Sequence, residues 1–402
     1  MVHHTISNRT DKASKASSKI RPMTKRLLQL VANALIVGML ASCASPTLPP
    51  PGDGTSSRDL SVVPQSVGPA PAVPGTGRSR WVPAAWSELP GFADDNLFEA
   101  WNAWIKSCER PGPVFASLCG EVRRLSIATP DEQRAWMTAR LQPYRIESSD
   151  GNAEGLLTAY YEPVIPASRL PSATNTVPLY SAPAGLGQRK PWYNRQQIET
   201  LPEARAALAG HEIAWLADPV EAMVLHIQGS GRLRITEPDG SVRTVRLAFA
   251  GTNDQPYRSI GTWLLQQGAT RDATWPGIRA WLAQNPQRQN ELMWTNPRYV
   301  FFREEPLEGL DASFGPRGAQ GVELTPGRSI AVDRQSIPYG TPMWLASRGP
   351  SADLQRLVLA QDTGSAIVGA VRADFFVGWG PDAGDIAGRL KQGLRLWALW
   401  PK

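Results

Sequence analysis

The sequence predicts a mainly β fold with peripheral helices, divided into two domains. Three observations carry this expectation. From Tyr299 onward, short runs rich in Val, Ile, Phe and Trp alternate with Pro and Gly turns, the pattern of strands and loops. Before Tyr299, apolar residues recur at helical spacing only in brief stretches that open on capping residues. Finally, about 320 residues follow a Pro-rich segment near the amino terminus, more than a single hydrophobic core usually serves.

The elements follow in chain order. Lys25 and Arg26 precede an apolar run from Leu27 to Leu40 that ends in Leu40-Ala41-Ser42-Cys43. A short apolar segment with a basic flank and small residues at its end reads as a signal peptide over residues 1–42, and it is short for a spanning helix. The ending resembles the lipobox of bacterial lipoproteins, which implies that Cys43 is lipidated and, with Ala44 after it, carried to the outer membrane. A non-lipoprotein signal or an anchor helix is the alternative. Met23 offers a second start that gives a more ordinary leader. Residues 43–80 are rich in Pro, Gly and Ser and show no period, so they read as a disordered tether.

Leu97, Trp101, Trp104 and Ile105 follow helical spacing after Asp94 and Asp95, and Thr129-Pro130-Asp131-Glu132 is a capping box with Pro at the first helical position. Gly155 to Ala167 reads as one strand. Val224 to Thr236 reads as a strand, a glycine turn and the first arm of a hairpin through Pro238-Asp239-Gly240. His226 alternates with apolar neighbours there and reads as a buried histidine. Two helices follow, with Ile260, Trp263 and Leu264, then Trp275, Ile278, Trp281 and Leu282, on their apolar faces.

Charge says little about partners. The chain has 42 Lys and Arg against 36 Asp and Glu, but residues 1–42 hold seven of the former and one of the latter, so the mature chain is formally neutral. The basic balance therefore gives no reason to expect nucleic acid. Only His211 and His226 lie beyond the leader. Neither has a partner at a spacing that suggests a triad, and no metal-ligand cluster or phosphate-binding loop is present in the sequence. Neither metal nor cofactor is expected, and carboxylate chemistry is favoured by elimination.

Asp362 and Asp374 stand inside strand-like apolar segments, where a carboxylate is costly unless paired or used. Alternation places Val371, Ala373, Phe375 and Val377 on one face and Arg372, Asp374 and Phe376 on the other, so Asp374 is the choice for the chemistry. Pairing with an Arg, or capping the turn at Gly378, is the structural alternative. Asp362 precedes Thr363-Gly364-Ser365 and reads as a residue that orients backbone amides, with a supporting role beside the acid as the other reading. Asp333 reads as structural, before the turn at Ile337-Pro338, and Asp382 and Asp385 read as turn or cap residues. Trp379 is either a core residue or a sugar platform.

An ordered set of motifs then carries a resemblance. Tyr160-Tyr161-Glu162-Pro163, Gln228-Gly229-Ser230-Gly231, Tyr257-Arg258-Ser259-Ile260-Gly261, Asn296-Pro297 with Phe301-Phe302, and Asp333-Arg334 with Ile337-Pro338 occur in sequence before the two aspartate segments. Over roughly residues 155 to 395 the chain resembles the membrane-bound lytic murein transglycosylase A family, and its last part resembles the three-aspartate (3D) domain, here Asp333, Asp362 and Asp374. Ser365 stands where family members often carry Gly, a departure from the family pattern in that loop.

The resemblance implies a double-psi β-barrel built from residues 81–163 and 303–402, an inserted β-rich domain over 164–302, and a substrate groove where they meet. It implies a lyase of exotransglycosylase type that cleaves the β-1,4 bond between N-acetylmuramic acid and N-acetylglucosamine. Asp374 would act as general acid and then base, with Asp362 and Asp333 in support. Tyr160, Tyr161, Gln228, Gly229, Ser230, Tyr257 and Ser259 would bind substrate. The implied partners are peptidoglycan glycan strands, the outer membrane through the lipid, and cell-wall synthesis or division proteins. In the periplasm Cys108 and Cys119 are free to pair, two unbonded buried cysteines being the alternative. Two other classes stay open: a hydrolase that adds water with Asp362 or Glu162 as base, and a wall-binding protein without turnover.

Overall fold

The computed structural model describes residues 78–402; the leader, Cys43 and the tether up to residue 77 lie outside the described residues. Strand β1 (Ser79–Pro83) pairs antiparallel with β2 (Leu141–Ser148). Helices α1 (Phe98–Ser107), α2 (Cys119–Arg124) and α3 (Pro130–Arg140) fill the chain between them. Trp101 and Trp104 on the buried face of α1 meet with ring centroids 5.3 Å apart, and Cys108 just beyond the helix is disulfide-bonded to Cys119. The Thr129 hydroxyl accepts from the Glu132 amide while Glu132 accepts from the Thr129 amide, a reciprocal cap that fixes the start of α3 and is typically worth about 1 kcal/mol.

Strand β3 (Gly155–Glu162) and strand β4 (Val164–Ser168) correct the expectation of one strand: they belong to different sheets. Pro163 has no N–H to donate, so no ladder runs through it, and the chain crosses from one sheet to the other there. The second sheet adds β5 (Val177–Tyr180), β6 (Glu212–Leu216), β7 (Gly231–Thr236), β8 (Val242–Thr252) and β9 (Val300–Pro306) in the order β5-β6-β4-β7-β8-β9. Helices α4 (Arg195–Thr200), α5 (Pro202–Leu208) and α6 (Pro219–Gln228) precede β7, and α7 (Ile260–Gln266), α8 (Trp275–Gln284) and α9 (Gln289–Trp294) precede β9.

Helix α6 is a second correction, since Val224 to Gln228 was expected as strand. Asp218 caps it by accepting from the Val220 amide, Pro219 opens it, and Gly229 closes it at φ 79°, a left-handed conformation that only glycine adopts without strain. Val220, Ala222, Met223, Val224, Leu225 and His226 are all buried, so the helix has no polar stripe and its sequence mimics a buried strand. His226 is buried on it, and its Nδ1 lies 2.8 Å from the Arg195 guanidinium. The border expected between residues 302 and 303 falls within β9, which pairs with β8 as far as Val245↔Pro306 before the chain returns to the first sheet.

The first sheet resumes with β10 (Ser329–Val332), β11 (Pro342–Arg348), β12 (Asp353–Asp362), β13 (Arg372–Trp379) and, after α10 (Gly380–Arg389), β14 (Lys391–Pro401). Pairing runs β14-β11-β12-β10-β13-β3, and β3 returns to β14, which closes a six-stranded barrel of mixed direction. One barrel strand precedes the second sheet and five follow it. The length of β14 makes closure compatible with an appended hairpin: Lys391 to Leu394 pair with β3, and Trp397 to Pro401 pair with β2. Ile330, Leu345, Leu357, Leu359, Ala373 and Leu396 are buried in this core, and α1 packs on β12 outside it. Asp382 and Asp385, expected as turn or cap residues, lie within α10. Asp382 occupies the first turn, where a carboxylate is favoured by the helix dipole.

A buried charge cluster joins the two sheets. Glu162 at the end of β3 is fully buried and accepts from Arg232 Nε of β7 at 2.7 Å and from Arg246 Nε of β8 at 2.6 Å. The same guanidiniums donate to the carbonyls of Ala312 and Phe314. Arg232 also lies 3.9 Å from the Trp379 ring centroid, which assigns that tryptophan to the joint.

Candidate active site

Strand register gathers the acidic residues. Ala331 of β10 is paired with Asp362 of β12 on one side and with Asp374 of β13 on the other, and Asp374 is paired in turn with Thr158 of β3. Residues opposite one another across a ladder share a face, so Thr158, Asp374 and Asp362 form one row across the barrel. The two aspartate Cα atoms are two strand spacings apart, about 10 Å.

The two carboxyls meet different surroundings. Asp362 Oδ2 accepts from the Tyr160 hydroxyl at 2.8 Å, and Oδ1 accepts from the Ala319 amide at 2.9 Å. Burial pushes its pKa up to about 6. The Thr363 amide, the Tyr160 hydroxyl and the Ala319 amide oppose the rise, and the charge of Asp374 adds to it. Among the described residues no cation touches this carboxyl. Tyr160 is held in its neutral, donating form by burial and by the charge of Asp362.

Asp374 is also raised by burial, against the hydrogen bond from the Thr158 hydroxyl and the charge of Arg372. Thr158 Oγ1 accepts from Arg372 Nη2 at 2.8 Å and donates to Asp374, so the threonine relays between the two. This carboxyl is committed to the barrel wall.

A cleft of about 590 Å³ opens over Asp362. Its barrel side presents Tyr160, Pro316, Gly318, Ala319, Thr363 and Ser365, and its other side presents Gln228, Gly229, Ser230, Phe249 and Arg298. Asp374 does not line it. The loop from Gly315 to Gly321 reaches the acid because Gly318 has no side chain: a Cβ there would lie 2.5 Å from the Gln361 carbonyl oxygen. The second sheet is tied in by Gln228, whose Oε1 accepts from the Tyr161 amide at 3.1 Å.

The structure thus brings Tyr160, Gln228, Gly229, Ser230 and Asp362 together and places the other expected residues elsewhere. Tyr161 packs beside α6 and α8. Ser259 caps α7 by accepting from the Thr262 amide, and Tyr257 bonds to Ser259. Asp333 accepts from the Gln335 and Gly369 amides and pairs with Arg78 at 3.3 Å, which fixes the turn after β10. Among the described residues no group of His, Cys, Asp and Glu could hold a metal ion. Sequence reasoning missed Phe249, Arg298 and the 315–321 loop. Phe249 carried a signal, an aromatic residue just before Ala250-Gly251, where the β8–β9 ladder shifts register; Arg298 and the loop act through space and carried none.

Comparison with known proteins follows the same outline. The MltA specific insert domain matches residues 156–303, and the 3D domain matches residues 328–400. The chain is 30% identical over 277 residues to the membrane-bound lytic murein transglycosylase A of Escherichia coli (strain K12), covering 64% of this chain and 69% of that protein. Among solved structures it is similar to the lytic transglycosylase LtgG of Burkholderia pseudomallei, with 43% identity, 83% of this chain and 99% of that chain covered, and a TM-score of 0.55. It is similar also to MltA from Neisseria gonorrhoeae in its monoclinic form, with 28% identity, 83% and 95% coverage, and a TM-score of 0.68. A closed barrel interrupted by a second sheet, with a recessed carboxyl in the cleft, belongs here to an enzyme of the lytic transglycosylase class. The chain is a member of the membrane-bound lytic murein transglycosylase A family.

Proposed function

We propose that this protein cleaves the β-1,4 bond between N-acetylmuramic acid and N-acetylglucosamine in peptidoglycan and leaves 1,6-anhydromuramyl ends, with Asp362 rather than Asp374 as the catalytic carboxyl. The observation that carries this reading is the setting of Asp362, which lines the cleft with a pKa of about 6 and, among the described residues, no cation against it. Such a group is partly protonated near neutral pH and able to donate. It first gives its proton to the glycosidic oxygen as the bond to the muramyl C1 breaks. As carboxylate it then takes the proton of the muramyl C6 hydroxyl while that oxygen closes on C1, which restores the acid without water. The Tyr160 hydroxyl and the Ala319 amide stabilise the carboxylate between the two steps.

Asp374 tunes this acid through its charge and does not share the proton. A hydrolytic reading with Glu162 as base finds no support, because two guanidiniums hold that carboxylate in the sealed joint. The barrel acts as the catalytic domain and the inserted sheet as the opposite wall of the groove, with the crossings at Pro163 and after Pro306. Cys43 anchors the protein by lipid to the outer membrane, facing the periplasm, and the Cys108–Cys119 disulfide fits an oxidising compartment.

The test is to incubate soluble protein beginning at Ala44 with purified peptidoglycan and to identify the released muropeptides by mass spectrometry. Asp362→Asn and Asp374→Asn are run alongside. Anhydromuramyl products from the parent and from Asp374→Asn, but not from Asp362→Asn, support the proposal. Products heavier by one water point to hydrolysis, and no products from the parent leave a wall-binding protein.

A further inference from the structure

The cleft is charged in a way that the cleavage chemistry does not use. Its wall contains Arg110, Arg298, Arg303 and Arg317 against a single acid, Asp362. Arg303 is paired with Glu305 and also donates to the Phe249 carbonyl, and Arg317 is paired with Glu323 at 3.1 Å. Arg298 and Arg110 have no side-chain partner among the described residues. Arg110 is exposed, where water satisfies it. Arg298 is half-buried, and its surroundings work against its charge with only Asp254 acting in its favour.

Arg298 is also held in place. Its amide donates to Asn296 Oδ1 at 3.3 Å, and its carbonyl accepts from Arg195 Nη2 at 2.8 Å. The Asn296-Pro297 motif thus fixes the backbone of the arginine, whose side chain lines the cleft together with Gln228 and Ser230. A guanidinium withdrawn from water without an anion is unfavourable, and its planar fork matches a carboxylate. In an alternating glycan strand the N-acetylglucosamine units are neutral. Only the muramyl units bear carboxylates, on the lactyl group when no peptide is attached and on the stem peptide when one is.

Building on the transglycosylase reading, we infer that Arg298 is a specificity residue that binds a carboxylate carried by a muramyl unit in the cleft. Glycan recognition then has two parts: neutral sugar contacts near Tyr160, Gln228 and Phe249, and one charged contact that senses muramyl substitution.

Binding is measured by calorimetry in the Asp362→Asn background, which prevents turnover, with and without Arg298→Gln. Three ligands are compared: a neutral N-acetylglucosamine hexamer, peptide-free glycan strands, and peptide-bearing glycan strands. Loss of the charge is expected to weaken binding of at least one carboxylate-bearing ligand by about tenfold and to leave the neutral hexamer within about twofold. Arg298→Lys should recover part of that loss, since the charge remains and the fork is gone. High salt should narrow the gap between parent and variant. A loss confined to peptide-bearing strands assigns the stem peptide as the source of the carboxylate. A loss on peptide-free strands assigns the lactyl group. Equal weakening of all three ligands, or of none, overturns the inference. If the wild-type enzyme cleaves peptidoglycan while Arg298→Gln binds and cleaves unchanged, the specificity claim fails alone. A wild-type protein that yields no anhydromuramyl product sinks the cleavage reading, whatever Arg298 does.

Discussion

Asp362 and Glu162 are both carboxylates withdrawn from water, and their surroundings give them opposite uses. Glu162 lies between two guanidiniums that also donate to backbone carbonyls, so the charges in the joint answer one another. Asp362 receives only neutral donors, a phenol and backbone amides, on the wall of an open cleft. Desolvation raises its pKa, which suits it to the proposed role of an acid. On the proposed reading, whether a buried carboxylate holds the fold together or moves a proton is decided by the charge of its donors.

The largest expected effect tests the acid. Asp362→Asn keeps the size and the acceptor for Tyr160 but cannot give or take the proton, and turnover should fall by about 10³-fold or more. A stability measurement separates this loss from misfolding. A carboxyl whose folded pKa lies above its unfolded value binds protons more tightly when folded, so its contribution weakens as pH rises through the interval from its ordinary value of 3.8 to about 6. The Asn variant should therefore be more stable than the parent at pH 8 and lose that advantage near pH 4. An inactive variant that is less stable at pH 8 would place Asp362 with the structural carboxylates.

The second effect is on stability. Glu162→Gln leaves two buried guanidiniums without their anion, and breaking such a cluster costs about 3–5 kcal/mol. Urea unfolding of the variant should show a correspondingly lower midpoint, with residual turnover reduced through the position of the second sheet. A loss below about 1 kcal/mol, typical of an exposed pair, would remove the joint from the account.

The comparison also shows what the sequence could and could not convey. The barrel strands were legible because alternation and turn residues are local signals, and the capping box at Thr129 is local too. Helix α6 was not, since burial on all sides erased its period. The choice between Asp362 and Asp374 was illegible for another reason. Both lie in one row, and what separates them is Tyr160, 202 residues away along the chain, and the Ala319 amide, 43 residues away. Glu162 likewise sits in a motif that invites a functional reading, while its arginines are 70 and 84 residues distant. Residue type marked the carboxylates; only the fold assigned their donors.

Two smaller effects sharpen the contrast through pH. The Tyr160 hydroxyl bonds to the ionised form of Asp362 and so holds its pKa down. Tyr160→Phe should move the alkaline limb of kcat/KM upward by about one pH unit, the equivalent of one hydrogen bond to a charged group. A downward movement would mean that some other group is the acid. Asp374→Asn should act in the opposite direction. The charge of Asp374 raises the pKa of Asp362, so an uncharged amide there lets it fall, and the alkaline limb moves down by a few tenths of a pH unit. Because Thr158 and Arg372 face Asp374 within the barrel wall, turnover at the optimum should stay within about threefold of the parent. If Asp374→Asn instead abolishes turnover while Asp362→Asn retains it, the roles of the two carboxyls are exchanged, and the acid works from inside the barrel row rather than from the cleft wall.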